Sequence, residues 1–165
     1  MAGTAYVVFD GDNDKWAYGF LNGWKTNKNI DFDYQDAHDL DTMTGRAQDE
    51  QYVKSKLKER MNKSSAVIVL IGEKTKNLYK YVRWELELAL ELGLPIIAAN
   101  LNKTNGQDDN LCPAIIRGKS SVVHVPYALD PIKHAMSYFP SFYRNLSAQE
   151  KAAGAKYYYK KFDPA

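Results

Sequence analysis

The chain has 165 residues, 45% of them hydrophobic, 25% charged and 13% aromatic, which suits one packed globular domain and excludes two large ones, a disordered chain or a collagenous one. Lys and Arg number 22 against 20 Asp and Glu, a net charge of +2 that argues against a dedicated nucleic-acid binder. No apolar run approaches the roughly 20 residues needed to cross a bilayer, the first residues lack a signal peptide's basic and apolar regions, and Cys112 is the single cysteine; a cytoplasmic protein without disulfides is expected.

Near-neutrality hides an asymmetry. Residues 1–50 carry ten acids, nine of them Asp, against four bases, a balance of −6, and residues 51–165 carry 18 bases and ten acids, a balance of +8. In chain order, Ala5–Phe9 is a short run of β-formers that reads as a first strand buried on both faces, followed by a polar loop from Asp10 to Lys15. Trp16, Phe20, Leu21 and Trp24 then have helical spacing, with Asp12 to Asp14 as candidate caps. Ile30–Tyr34 alternates apolar and acidic residues as an edge strand would. Gln48 to Met61 reads as an amphipathic helix on Val53, Leu57 and Met61, and Ala66–Ile71 as a central parallel strand. Val82 to Leu92 is a helix ended by Gly93 and Pro95. Pro95–Ala99 and Ser121–Val125 are further buried strands, the second interrupted by His124, which reads as a satisfied core residue.

An irregular insertion at about 102–119 is relieved only by a turn of helix near Cys112–Ile116, and Pro131 to Phe139 is read as a final helix stopped by Pro140. The basic, Tyr-rich tail at about 147–165 is read as a helical or frayed surface element, and His134 as helix surface. Alternating strands and helices predict a single α/β domain over 1–165, a flavodoxin-like doubly wound sheet of about five mainly parallel strands. In that order the ligand crevice lies between the first and third strands, so the loops Asp10–Lys15 and Gly72–Tyr79 are the ones to inspect.

Three motif readings fail on spacing. Asp10, Asp12 and Asp14 begin like a calcium loop, but its sixth and twelfth positions hold Lys15 and Leu21 where Gly and Glu are required. Gly118–Ser120 resembles the end of a phosphate loop, but Pro113 replaces its first glycine. A response-regulator receiver needs an Asp and a Lys where Gly72-Glu73 and Val125-Pro126 stand. A carboxylate remains. On a helical wheel Tyr81, Val82, Leu88, Ala89 and Leu92 share a side with Glu85, while Arg83, Glu87 and Glu91 lie opposite. A carboxylate there costs several kcal/mol unless it is paired or meets a polar cavity. Both readings fit the spacing: a buried Glu paired with Arg, Lys or backbone, or a site residue.

Tyr81-Val82-Arg83-Trp84-Glu85, following Val69–Thr75 and preceding Gly93–Ile97, resembles the Thoeris-type TIR-like domains of the Toll/interleukin-1 receptor superfamily. Phe9–Asp14 and Asp36–Asp39 resemble the same group, and the likeness runs from about Ala5 to Leu101, with a fainter echo at Leu111–Ile115. The resemblance implies a TIR-like fold and cleavage of NAD at the nicotinamide bond, making a cyclic or conjugated ADP-ribose signal that reaches a downstream effector in anti-phage defence. NAD is then a substrate, with no cofactor or metal expected, no nucleic acid or membrane partner, and self-association on activation. Glu85 matches the family's catalytic glutamate, with Tyr81 in place of its aromatic Trp. Phe9 and Asp10 are implied beside the nicotinamide ribose, with Asp12 in the same loop, Trp16 on a base, His38 in a covering loop, and Thr75 and Trp84 bordering the cavity.

One departure stands out. Many TIR domains have Ser-His after the first strand where this chain has Asp10-Gly11, so the pyrophosphate contacts are unassigned and the aspartates face ribose, solvent or a bridging cation, or NAD binds differently. Two other functions fit the same features: a non-catalytic TIR-like interaction module, and a nucleoside deoxyribosyltransferase-like enzyme using a Glu in a similar cleft.

Overall fold

The computed structural model describes residues 4–26, 33–35, 50–78 and 81–159. Six strands form one sheet in the order β2-β1-β3-β4-β5-β6, and every described pairing is parallel. They are β1 (Thr4–Val8), β2 (Asp33–Gln35), β3 (Ala66–Ile71), β4 (Ile96–Asn100), β5 (Val122–Pro126) and β6 (Tyr157–Tyr158). The first five have the expected flavodoxin-like order. The helices are α1 (Lys15–Thr26), α2 (Glu50–Met61), α3 (Tyr81–Glu91), α4 (Leu129–Arg144) and α5 (Ala148–Ala152).

Strand alternation divides the core into two layers. Ala5, Val7, Ile68, Leu70, Ile97, Ala99, Val123 and Val125 face Ala17 and Leu21 of α1 and Ile132, Ala135, Met136 and Phe139 of α4. Tyr6, Val8, Val67, Val69, Ile71, Ile96, Ala98 and Val122 face Val53, Leu57 and Met61 of α2 and Val82, Leu86 and Ala89 of α3. Covered on both sides, the central strands can be apolar throughout, and β3 and β4 are buried at every position.

Gly93 ends α3 at φ +68°, a left-handed conformation that favours glycine. Leu94 N donates to Ala89 O at 3.0 Å and Gly93 N to Leu90 O at 3.1 Å, the paired bonds of a Schellman cap. The turn near Cys112 is a 3-10 turn at Ala114–Ile116. Asn100 anchors the start of the irregular segment, its Nδ2 donating to Thr104 O and Gly106 O, both at 2.8 Å.

Four expectations need correction. Pro140 does not stop the last helix; α4 continues to Arg144 with Pro140 buried inside it. A proline there forgoes a helical hydrogen bond and costs roughly 3 kcal/mol. The next turn offsets that cost, because Phe142 and Tyr143 pack on the core and Phe142 meets Tyr157 at 5.1 Å. The tail is a helical surface element only over Ala148–Ala152, where no residue is buried; beyond it Tyr157 is buried and pairs with Val123 as β6. Trp16 and Phe20 are 54% and 58% exposed, so of the expected apolar face only Leu21 and the partly buried Trp24 meet the core, joined by Ala17. His124 is buried, but its Nδ1 has no hydrogen-bond partner among the described residues. The part of the second strand before Asp33 lies outside the described residues.

Candidate active site

Strand order reverses between β1 and β3, so the loops after these strands bound the crevice. The first loop is organised by Asp10. This residue is 1% exposed, and its Oδ1 accepts from Asp12 N at 3.0 Å and Asn13 N at 3.2 Å while Oδ2 accepts from Asn13 Nδ2 at 2.7 Å. Short polar side chains bond to their own backbone this way in tight turns, so the Asp10 carboxylate holds the loop's shape. Asp12 is exposed, and Asp14 O accepts from Ala17 N at 3.1 Å, starting α1.

Asp14 is the unusual acid. It is 6% exposed, and Oδ2 has no hydrogen-bond partner among the described residues. Burial raises the pKa of its carboxyl above the ordinary value, and the charges of Asp10 and Glu73 act in the same direction. Gly72, just beyond β3, makes room for it: a Cβ on Gly72 would lie 2.7 Å from Asp14 Oδ1.

Thr75 closes the second loop. Its buried Oγ1 accepts from Gly72 N at 2.9 Å and donates to Leu70 O at 3.4 Å, tying the 3-10 turn Thr75–Asn77 to the strand end. Phe9 is 7% exposed and stacks on Tyr18 at 4.5 Å, so it joins the sheet to α1. Trp84 is half-buried at the margin of the other layer, with the Lys54 ammonium 5.6 Å above its ring. His38 lies outside the described residues, as does the Tyr81 side chain.

Glu85 lies at the edge of the buried stripe Val82–Leu86–Ala89, and its side chain is half-buried. Its Oε2 accepts a hydrogen bond from the Tyr6 hydroxyl at 2.6 Å. Tyr6, fully buried in β1, thus reaches through the α2/α3 layer to a helix 79 positions later in sequence. A short bond to a carboxylate oxygen is the strong, charge-assisted kind and fixes the group's orientation. Sequence reading had not singled out Tyr6.

Two cavities border this region. A cavity of about 460 Å³ is lined by residues including Asn13, Asp14, Trp16, Gly72, Glu73 and Leu101. One of about 200 Å³ lies between Thr75–Leu78, the first turns of α3 and Pro113–Arg117. Trp16 borders the larger and Thr75 the smaller; Phe9, Asp10 and Glu85 line neither.

A model of the family described as "Thoeris protein ThsB, TIR-like domain" matches residues 6–106, more than half of the chain. The chain belongs to this family. No individual curated protein matches it. The matched span runs from Tyr6 to the irregular segment after β4 and includes Glu85. Membership supports an anti-phage, TIR-like role and is compatible with NAD-related chemistry. Among the described residues no helix is long and apolar enough to cross a membrane.

Proposed function

We propose that this domain cleaves the nicotinamide–ribose bond of NAD and makes a cyclic or conjugated ADP-ribose signal in anti-phage defence. The observation that carries the reading is the half-buried Glu85 carboxylate held by Tyr6 at 2.6 Å, within the family-matched span. The bond between ribose C1′ and the ring nitrogen breaks with its electron pair leaving on nicotinamide. Positive charge then develops across C1′ and the ring oxygen. An ionised carboxylate beside the ribose stabilises that charge, as glycosidase carboxylates do. A hydroxyl of the same nucleotide, a second acceptor or water attacks C1′ and gives up its proton. Nicotinamide is already a good leaving group, so one positioned carboxylate suffices without a nucleophile–base pair.

In this reading NAD is a substrate, the released nucleotide diffuses to a downstream effector, and self-association completes or activates the site. The test is incubation of the full chain with NAD, with and without an infection trigger, and chromatography of the products. Glu85→Gln is expected to abolish nicotinamide release, and a variant as active as the parent sinks the assignment. Background release from the parent in every assembled form would favour an interaction module, and base exchange between nucleosides a deoxyribosyltransferase-like enzyme.

A further inference from the structure

The cavity of about 200 Å³ shares no lining residue with the larger one, and Glu85 does not line it. Its wall from Pro113 to Arg117 lies beyond residues 6–106, so family membership assigns it no role. Buried Val82, Leu86 and Pro113 make an apolar floor, which the half-buried Leu78 and Ile115 extend. Lys76, Arg83 and Arg117 stand exposed at the rim, and among the described lining residues none is acidic. Each cationic head is tethered by a bond that leaves it further donors. Lys76 Nζ donates to Asn110 O at 2.5 Å and an Arg117 terminal nitrogen to Cys112 O at 2.7 Å, so carbonyls of one loop position both heads without neutralising them. Arg83 Nε donates to Glu87 Oε1 at 2.8 Å, which offsets the Arg83 charge and leaves its two terminal nitrogens for a ligand. Asp108 feels the Lys76 charge but forms no ion pair with it among the described residues.

We propose that this cavity binds a compact organic phosphate monoester, its apolar body on the Val82–Leu86–Pro113 floor and its phosphoryl oxygens on Lys76, Arg83 and Arg117. A phosphate monoester carries a charge of about −1.5 to −2 at neutral pH and three acceptor oxygens, which answers the two cations that no acid neutralises. Guanidinium forks hold such a group at two points, and a lysine adds a point charge. Heads already tethered to the loop and to α3 lose less freedom on binding than solvated ones. The volume lies below the roughly 300–1,000 Å³ of drug-sized ligands, which limits the body to about one ring or one branched chain. Inorganic phosphate leaves the apolar floor uncovered, and a neutral apolar molecule leaves the cations unanswered.

Calorimetric titration of the full chain with phenyl phosphate tests this, with inorganic phosphate, benzoate and benzyl alcohol as comparisons. Phenyl phosphate is expected to bind about tenfold more tightly than any of the three, and more weakly as salt is raised. Lys76→Gln and Arg117→Gln should each weaken it by about tenfold, the order of one hydrogen bond to a charged group. Lys76 is exposed, so its variant retains the fold even where loss of the Arg117–Cys112 bond loosens the loop. Trp16→Ala, at the other cavity, should bind phenyl phosphate as the parent does. The proposal is overturned by no binding of phenyl phosphate, by equal affinity for any of the three comparisons, by parental affinity in Lys76→Gln, or by loss of binding in Trp16→Ala. None of these results depends on the chemistry assigned to Glu85.

Discussion

The Tyr6 hydroxyl donates to Glu85 Oε2 at 2.6 Å, so the carboxylate on α3 takes its orientation from the first strand of the sheet. β1 is held between β2 and β3, so the donor sits on an interior strand of the sheet.

Tyr6→Phe keeps the ring and removes only the donor. On the proposed chemistry kcat should fall by about tenfold or more with a smaller change in KM. Stability should fall by about 1.5–3 kcal/mol, the usual worth of a hydrogen bond to a charged group. A parental kcat in Tyr6→Phe would make Tyr6 a packing residue and nothing more.

Gly72 and Asp14 compete for the same space. Gly72→Ala should cost roughly 1–3 kcal/mol, because the added methyl meets a carboxylate on a short side chain at the start of a helix. In an Asp14→Ala background most of that cost should vanish, giving a coupling of about 0.5–3 kcal/mol in a double-mutant cycle measured by denaturant unfolding. Additive effects would show that the methyl is accommodated elsewhere.

His124 sets an acid limit on stability. Burial holds its imidazole down from 6.5 to about 4, with the Lys156 charge adding in the same direction. The folded state therefore binds this proton less readily than the unfolded chain. Above pH 6.5 the residue has no effect; as pH falls from 6.5 towards 4 the unfolded state gains protons first, and up to about 3 kcal/mol of stability is lost. His124→Leu should remove that part of the pH dependence. Parallel stability curves for the two proteins between pH 4 and 7 would overturn the assignment.

The apolar runs that form β1, β3, β4 and β5 were readable because strands covered on both faces leave an unbroken hydrophobic signature, and the alternating helices implied their parallel order. α4 beyond Pro140 was not, because the proline rule weighs a local hydrogen bond and is blind to the aromatic contacts of Phe142 and Tyr143. Lysines flanking Tyr157 hid β6. Glu85 stood out because a charge on an apolar stripe needs a reason. Its partner did not, since Tyr6 inside a strand reads as one more β-former until pleat and layer are known. Asp10 and Thr75 lie in the predicted loops, but their side chains bond to those loops, and spacing cannot tell a residue that shapes a turn from one that faces a ligand.

The two-residue strand β6 also shields the molecule. β5 would otherwise present a row of apolar residues with unpaired backbone groups along an open border of the sheet, the geometry that recruits strands from other chains. Tyr157 and Tyr158 occupy that border, and Tyr157 is anchored beneath by Phe139 and Phe142. The tail that looked like a basic appendage is thus the domain's guard against aggregation, and trimming it would be felt first as lost solubility.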